Sequence, residues 1–73
     1  MREVEKHEAN YVVIISDSSS KRVKYKFYFD LGEGDCMEEM LQYIIDKYKG
    51  AINITSRIDF ARVMLGETFR REL

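Results

Sequence analysis

Val23, Tyr25, Phe27 and Phe29 alternate with Lys24, Lys26 and Tyr28. A period of two fits an extended strand with one dry face and one wet face, and it excludes a helix over the same residues. Upstream, Tyr11-Val12-Val13-Ile14-Ile15 is β-branched or aromatic throughout, the composition of a strand buried on much of both faces. Between them Asp17-Ser18-Ser19-Ser20 supplies turn formers whose side chains bond their own backbone. The two strands are therefore predicted to form a hairpin. If paired residue numbers sum to about 38, Tyr11, Val13 and Ile15 oppose Phe27, Tyr25 and Val23, and the apolar side chains share one face with Phe29. A slip by one residue would set lysines against that face.

Gly32 and Gly34 end the second strand, and Asp35-Cys36-Met37-Glu38 has the form of a capping box with Asp35 as N-cap. Met37, Met40, Leu41, Ile44, Ile45 and Tyr48 then recur within a sector of about 140°, the stripe of a helix lying on a core. This helix is predicted over 35–49, with Lys47 and Lys49 near its C-terminal dipole and Gly50 just past its end. Ala51-Ile52-Asn53-Ile54 reads as a short third strand or as a linker. Ser56-Arg57-Ile58-Asp59 is a second capping box, which predicts a helix running to Leu73. Its main stripe would be Ile58, Ala61, Leu65, Phe69 and Leu73, leaving Phe60, Val63 and Met64 on the opposite side. The expected fold is α+β in the order β-β-α-(β)-α. A hairpin, or a three-stranded antiparallel or mixed sheet, is packed on one face by two helices. Residues 1–73 form one small domain, with residues 1–9 as a polar arm, either frayed or leading into the first strand.

A chain of 73 residues buries only about 60% of the surface it exposes when unfolded, so its core is marginal. One cysteine, Cys36, forbids an internal disulfide, and one histidine, His7, makes a tetrahedral zinc site implausible. Association with another copy is the remaining device. The longest apolar run, Tyr11 to Ile15, is far too short to span a bilayer, and the first ten residues lack an apolar signal-peptide region. With a single thiol, these features point to the cytoplasm.

Catalysis has thin support in the sequence. His7, the only imidazole, lies in the polar arm, and Cys36 stands at the first turn of a helix without a Cys or His beside it. Asp30, Glu33, Asp35, Glu38 and Glu39 crowd ten residues, but they lack the alternation and closing glutamate of a calcium loop. Gly32-Glu33-Gly34 carries an acid where a phosphate cradle needs amides and a lysine. No catalytic residue, metal or cofactor is expected.

Charge is informative in its arrangement. The overall charge is −1, which lacks the positive excess of a non-specific nucleic-acid binder. Yet Lys21, Arg22, Lys24 and Lys26 face only Asp17 within residues 10–29, while residues 30–46 hold six acids and no base. Such poles favour recognition of another macromolecule. The expected function is a non-enzymatic protein–protein interaction module, a small regulator or inhibitor of a larger protein. Phe60, Val63 and Met64 are the candidate self-association surface of a homodimer. Val12, Ile14, Lys24, Lys26 and Tyr28 are the candidate partner surface. The alternative is a nucleic-acid-binding module in which Lys21, Arg22, Lys24 and Lys26 meet phosphates and Tyr28 stacks on a base. No role at a membrane is expected.

Overall fold

The computed structural model describes residues 1–64 and 67–71, with side chains as far as Val63. Among the described residues the fold is small and α+β, a five-stranded antiparallel sheet with one α-helix. The elements are β1 (Arg2–Glu3), a 3-10 turn (Lys6–Glu8), β2 (Tyr11–Asp17), β3 (Val23–Asp30), α1 (Met37–Lys47), β4 (Ser56–Met64) and β5 (Glu67–Arg71). Across the sheet the order is β1-β3-β2-β4-β5, so the continuous apolar run of β2 is the central strand. Its five residues from Val12 to Ser16 are all buried, as a strand with neighbours on both edges and cover on both faces requires.

The β2–β3 hairpin forms, with Phe27 and Phe29 buried beside Val13 and Ile15 as expected, but in a register two residues away from the one predicted and with Tyr25 and Val23 exposed. Tyr11, Val13 and Ile15 pair with Phe29, Phe27 and Tyr25. The turn sets this register. The Asp17 carboxylate accepts the backbone N–H groups of Ser19 at 2.8 Å and Ser20 at 3.1 Å, and Lys21 takes a positive φ of 61°. A bulge between Ile15 and Ser16 absorbs one further residue of β3, and Val23 ends up exposed.

Helix α1 is shorter than predicted, and its capping box does not form. Cys36 is the N-cap, and its side chain makes no capping bond to the backbone. Asp35 turns back instead, accepting the Gly32 N–H at 2.8 Å and lying 3.0 Å from the Met1 amino group. The helix stops at Lys47, and Gly50 has a positive φ of 88° that a residue with a Cβ would adopt only under strain. Met40 and Ile44 seat α1 on Val13, Ile15, Phe27 and Phe29.

The second helix is overturned: residues 56–64 are strand β4, antiparallel to β2, and β5 follows it. The apolar residues that sit awkwardly on two sides of a helix fall into a period of two. Ile58 and Phe60 pair with Ile15 and Val13 on the α1 face, whereas Ala61 pairs with Val12 on the far face. Ser56 launches the strand from a turn, its hydroxyl accepting the Asn53 N–H at 2.9 Å, so the apparent N-cap closes a loop. Residues 51–54 form that loop and make no strand, which rules out the three-stranded alternative. Leu65 and Leu73, expected on the stripe of the second helix, lie outside the described residues.

Residues 1–9 are no frayed arm. Glu3 pairs with Phe29 at the free edge of β3, and the Val4 N–H donates to the Tyr28 carbonyl. The Asn10 side chain then ties the start of β2 to the end of β3, donating to the Leu31 carbonyl at 2.8 Å and accepting its N–H at 2.9 Å.

Candidate functional sites

The predicted partner residues are brought onto adjoining strands. Val12 pairs with Tyr28 and Ile14 with Lys26. Val12 and Ile14 are only 2% and 3% exposed, because with Ala61 they form a second apolar cluster against which Tyr28 and Val63 pack. What this surface offers to solvent is therefore basic. Lys21, Arg22, Lys24 and Lys26 are exposed, and Lys24 lies 3.7 Å from the Asp17 carboxylate.

The predicted self-association residues are split. Phe60 packs at the margin of the α1-side cluster and Val63 at the margin of the far-side cluster, so they face opposite ways. The Met64 side chain lies outside the described residues. The α1-side cluster loses cover across the sheet. Phe27, Phe29, Val13 and Ile15 on β3 and β2 are buried, whereas Ile58 and Phe60 on β4 are half-buried. On the helix, Met37 and Ile45 are 43% and 48% exposed, and Ile54 in the following loop is fully exposed.

One polar constellation had no counterpart in the sequence reading. The Glu3 carboxylate accepts hydrogen bonds from the Tyr43 hydroxyl at 2.9 Å, the Tyr48 hydroxyl at 2.7 Å and the Lys47 ammonium at 3.4 Å. Lys47 also donates to the Tyr43 hydroxyl at 3.0 Å and sits over both rings, 5.4 and 5.5 Å from their centroids. Partial burial pushes Glu3 up, but the bonds from Tyr48, Tyr43 and Lys47 outweigh it and hold the carboxyl below its ordinary range. The Lys47 ammonium is pushed up, foremost by its bond to Tyr43, and the Tyr48 hydroxyl is pushed up by its bond to Glu3. Arg2, 3.3 Å from Asp30, adds a second clasp beside it. Two helix side chains, Tyr43 and Lys47, and the C-cap Tyr48 thus make a socket for a carboxylate carried on an extended segment. Tyr43 and Lys47, four residues apart on one helical face, were the available signal; Glu3, forty residues away, gave none.

Asp59 is the other unforeseen feature. It pairs with Ile14 on the far face and is 1% exposed, its Oδ1 accepts no hydrogen bond, and the Arg57 Nε is 3.9 Å away. The acids of residues 30–46 are dispersed into separate contacts, such as Asp46 with Gln42 at 2.8 Å. Among the described residues no three Asp, Glu, His or Cys side chains are grouped as metal ligands would be. At Cys36 the Glu39 N–H pulls the thiol down, but burial and the carboxylates of Glu38 and Glu39 outweigh it and push the thiol up, away from the reactive thiolate. No helix among the described residues is long and apolar enough to cross a membrane. Comparisons with protein-family models, curated proteins and solved structures gave no match, so the residues themselves carry the functional argument.

Proposed function

We propose that the chain is a non-enzymatic protein–protein interaction module of the cytoplasm, a small regulator or inhibitor that works as a homodimer. The observation that carries this reading is the incomplete cover of the sheet by α1. Ile58 and Phe60 are half-buried at the margin of the core, and the helix itself leaves Met37 and Ile45 exposed. By helix geometry Leu41 and Ile45 lie roughly 160° round α1 from Tyr43, which reaches β1, so their flank is turned the other way. Apolar area of this kind, left exposed or half-buried among the described residues, supports association with a second copy. Phe60 is the residue of the predicted surface that belongs to it; Val63 would contribute from the far face. The exposed Lys24 and Lys26 remain for a larger protein of acidic character.

Light scattering over a concentration series tests the reading. The wild-type chain is expected at twice its monomer mass, and Phe60→Glu at the monomer mass with an unchanged far-ultraviolet spectrum. A folded wild-type monomer at every concentration would refute it. Salt-sensitive capture of single-stranded oligonucleotides, abolished by Lys24→Glu with Lys26→Glu, would instead favour the nucleic-acid reading.

A further inference from the structure

We propose that in the dimer the amino-terminal strand is exchanged, so that Glu3 of one copy occupies the Tyr43–Lys47–Tyr48 socket of the other. This rests on the self-association reading and adds the element that one copy lends to its partner. Among the described residues, the hydrogen bonds and ion pairs of residues 1–4 are made to β3, to α1 and the Tyr48 that caps it, or to the loop between β3 and α1. Glu3 pairs with Phe29 and bonds Tyr43, Lys47 and Tyr48; Arg2 meets Asp30; Val4 donates to Tyr28; the Met1 amine meets Asp35. A receptor of this kind is filled equally well by the same segment of a second molecule, the condition for exchange.

The connection to β2 is suited to open. Residues 5–8 are exposed, and their 3-10 turn buries nothing. Straightening it breaks the Glu8-to-Glu5 and Ala9-to-Lys6 backbone bonds and separates the exposed His7 and Glu5, 3.9 Å apart. Residues 5–9 then reach about 17 Å, far enough to carry β1 to a neighbouring molecule. The simpler arrangement, two β3 edges pairing directly, is disfavoured by charge. Lys26 lies in the stretch of β3 left unpaired beyond β1, with Lys24 and Arg22 beside it, so a symmetric partner strand would bring base against base. Exchange avoids this, because each copy keeps an acidic residue, Glu3, against the other's Lys47.

Charge reversal separates exchange from every other kind of dimer. Glu3→Lys places two cations in its own socket, and Lys47→Glu places two anions there, so each variant alone is mismatched whether it closes on itself or pairs with its like. Refolded together, the exchanged heterodimer has one cation and one anion in both sockets. The thermal midpoint of the mixture should then rise above that of either variant, towards wild type. A mixture that melts as the superposition of its components overturns exchange. If the wild-type mass is still that of a dimer, self-association stands; if the wild type is monomeric throughout, both fail. Should the variants not fold, the wild-type chain suffices. Nitrogen-14 and nitrogen-15 chains are refolded together and treated with a carbodiimide, which joins a carboxylate directly to an amine. Exchange predicts mixed-isotope Glu3–Lys47 links at the dimer mass, and Glu3–Lys47 links confined to single chains refute it.

Discussion

Asp17 shows how much a single exposed side chain can specify. Its carboxylate collects the Ser19 hydroxyl and the N–H groups of Ser20 and Ser19, which hold its pKa at about 2 against an ordinary 3.8. A carboxyl depressed in the folded state adds stability that is complete above its unfolded pKa and lost as the pH falls through the folded one. The thermal midpoint of the wild type should therefore drop on acidification from pH 4 towards about 2. Asp17→Asn should lower the midpoint at neutral pH and flatten the decline in that window. Glu3 has the same sign, its contribution present at neutral pH and fading below the ordinary carboxyl range. Glu3→Gln keeps the size and removes the charge, and should cost about 1 kcal/mol in a urea titration at pH 7, with less loss at pH 4.

Among the elements, the hairpin and α1 were legible because their apolar residues recur at the strand and helix periods within a few residues of one another. What was not legible depended on distant partners. The register of β2 on β3 was missed by two residues, since Lys21 must adopt a left-handed backbone that its side chain does not announce. Strand β4 was masked by a local pattern, Ser56-Arg57-Ile58-Asp59, that favours a helix in isolation but yields to the unfilled edge of β2. The two-sided apolar character of residues 58–63 was visible; its meaning required knowing that β2 needs a second neighbour. Of the candidate sites, the basic surface could be read from charge, whereas the Glu3 socket and the buried Asp59 could not. Asp59 is buried in β4 with one oxygen that accepts no hydrogen bond, and the Arg57 Nε lies 3.9 Å away.

For the whole molecule, the decisive fact is that the centre of the sheet is built from residues far apart in the chain. Helix α1 carries the backbone from β3, on one side of β2, to β4 on the other. A chain ending at Gly50 retains the hairpin and the helix and lacks the second neighbour of β2. We expect it to show no cooperative melting transition and to sediment as aggregate, whereas the chain of residues 1–73 should melt cooperatively. The apolar surface at β4 and the clasp at β1 lie towards opposite ends of the strand order, so a dimer can use both.

The position of β2 also governs how the protein is made. On a translating ribosome the run from Val12 to Ile15 emerges well before the strand that completes it, which ends at Met64. Over that interval the nascent chain carries an apolar strand with one bare edge, ready to pair with whatever extended segment lies nearby. Neighbouring ribosomes on the same message would supply identical segments at high local concentration. The order of elements thus makes the rate of elongation across residues 18–64, and the shielding available meanwhile, a determinant of how much soluble protein a cell obtains.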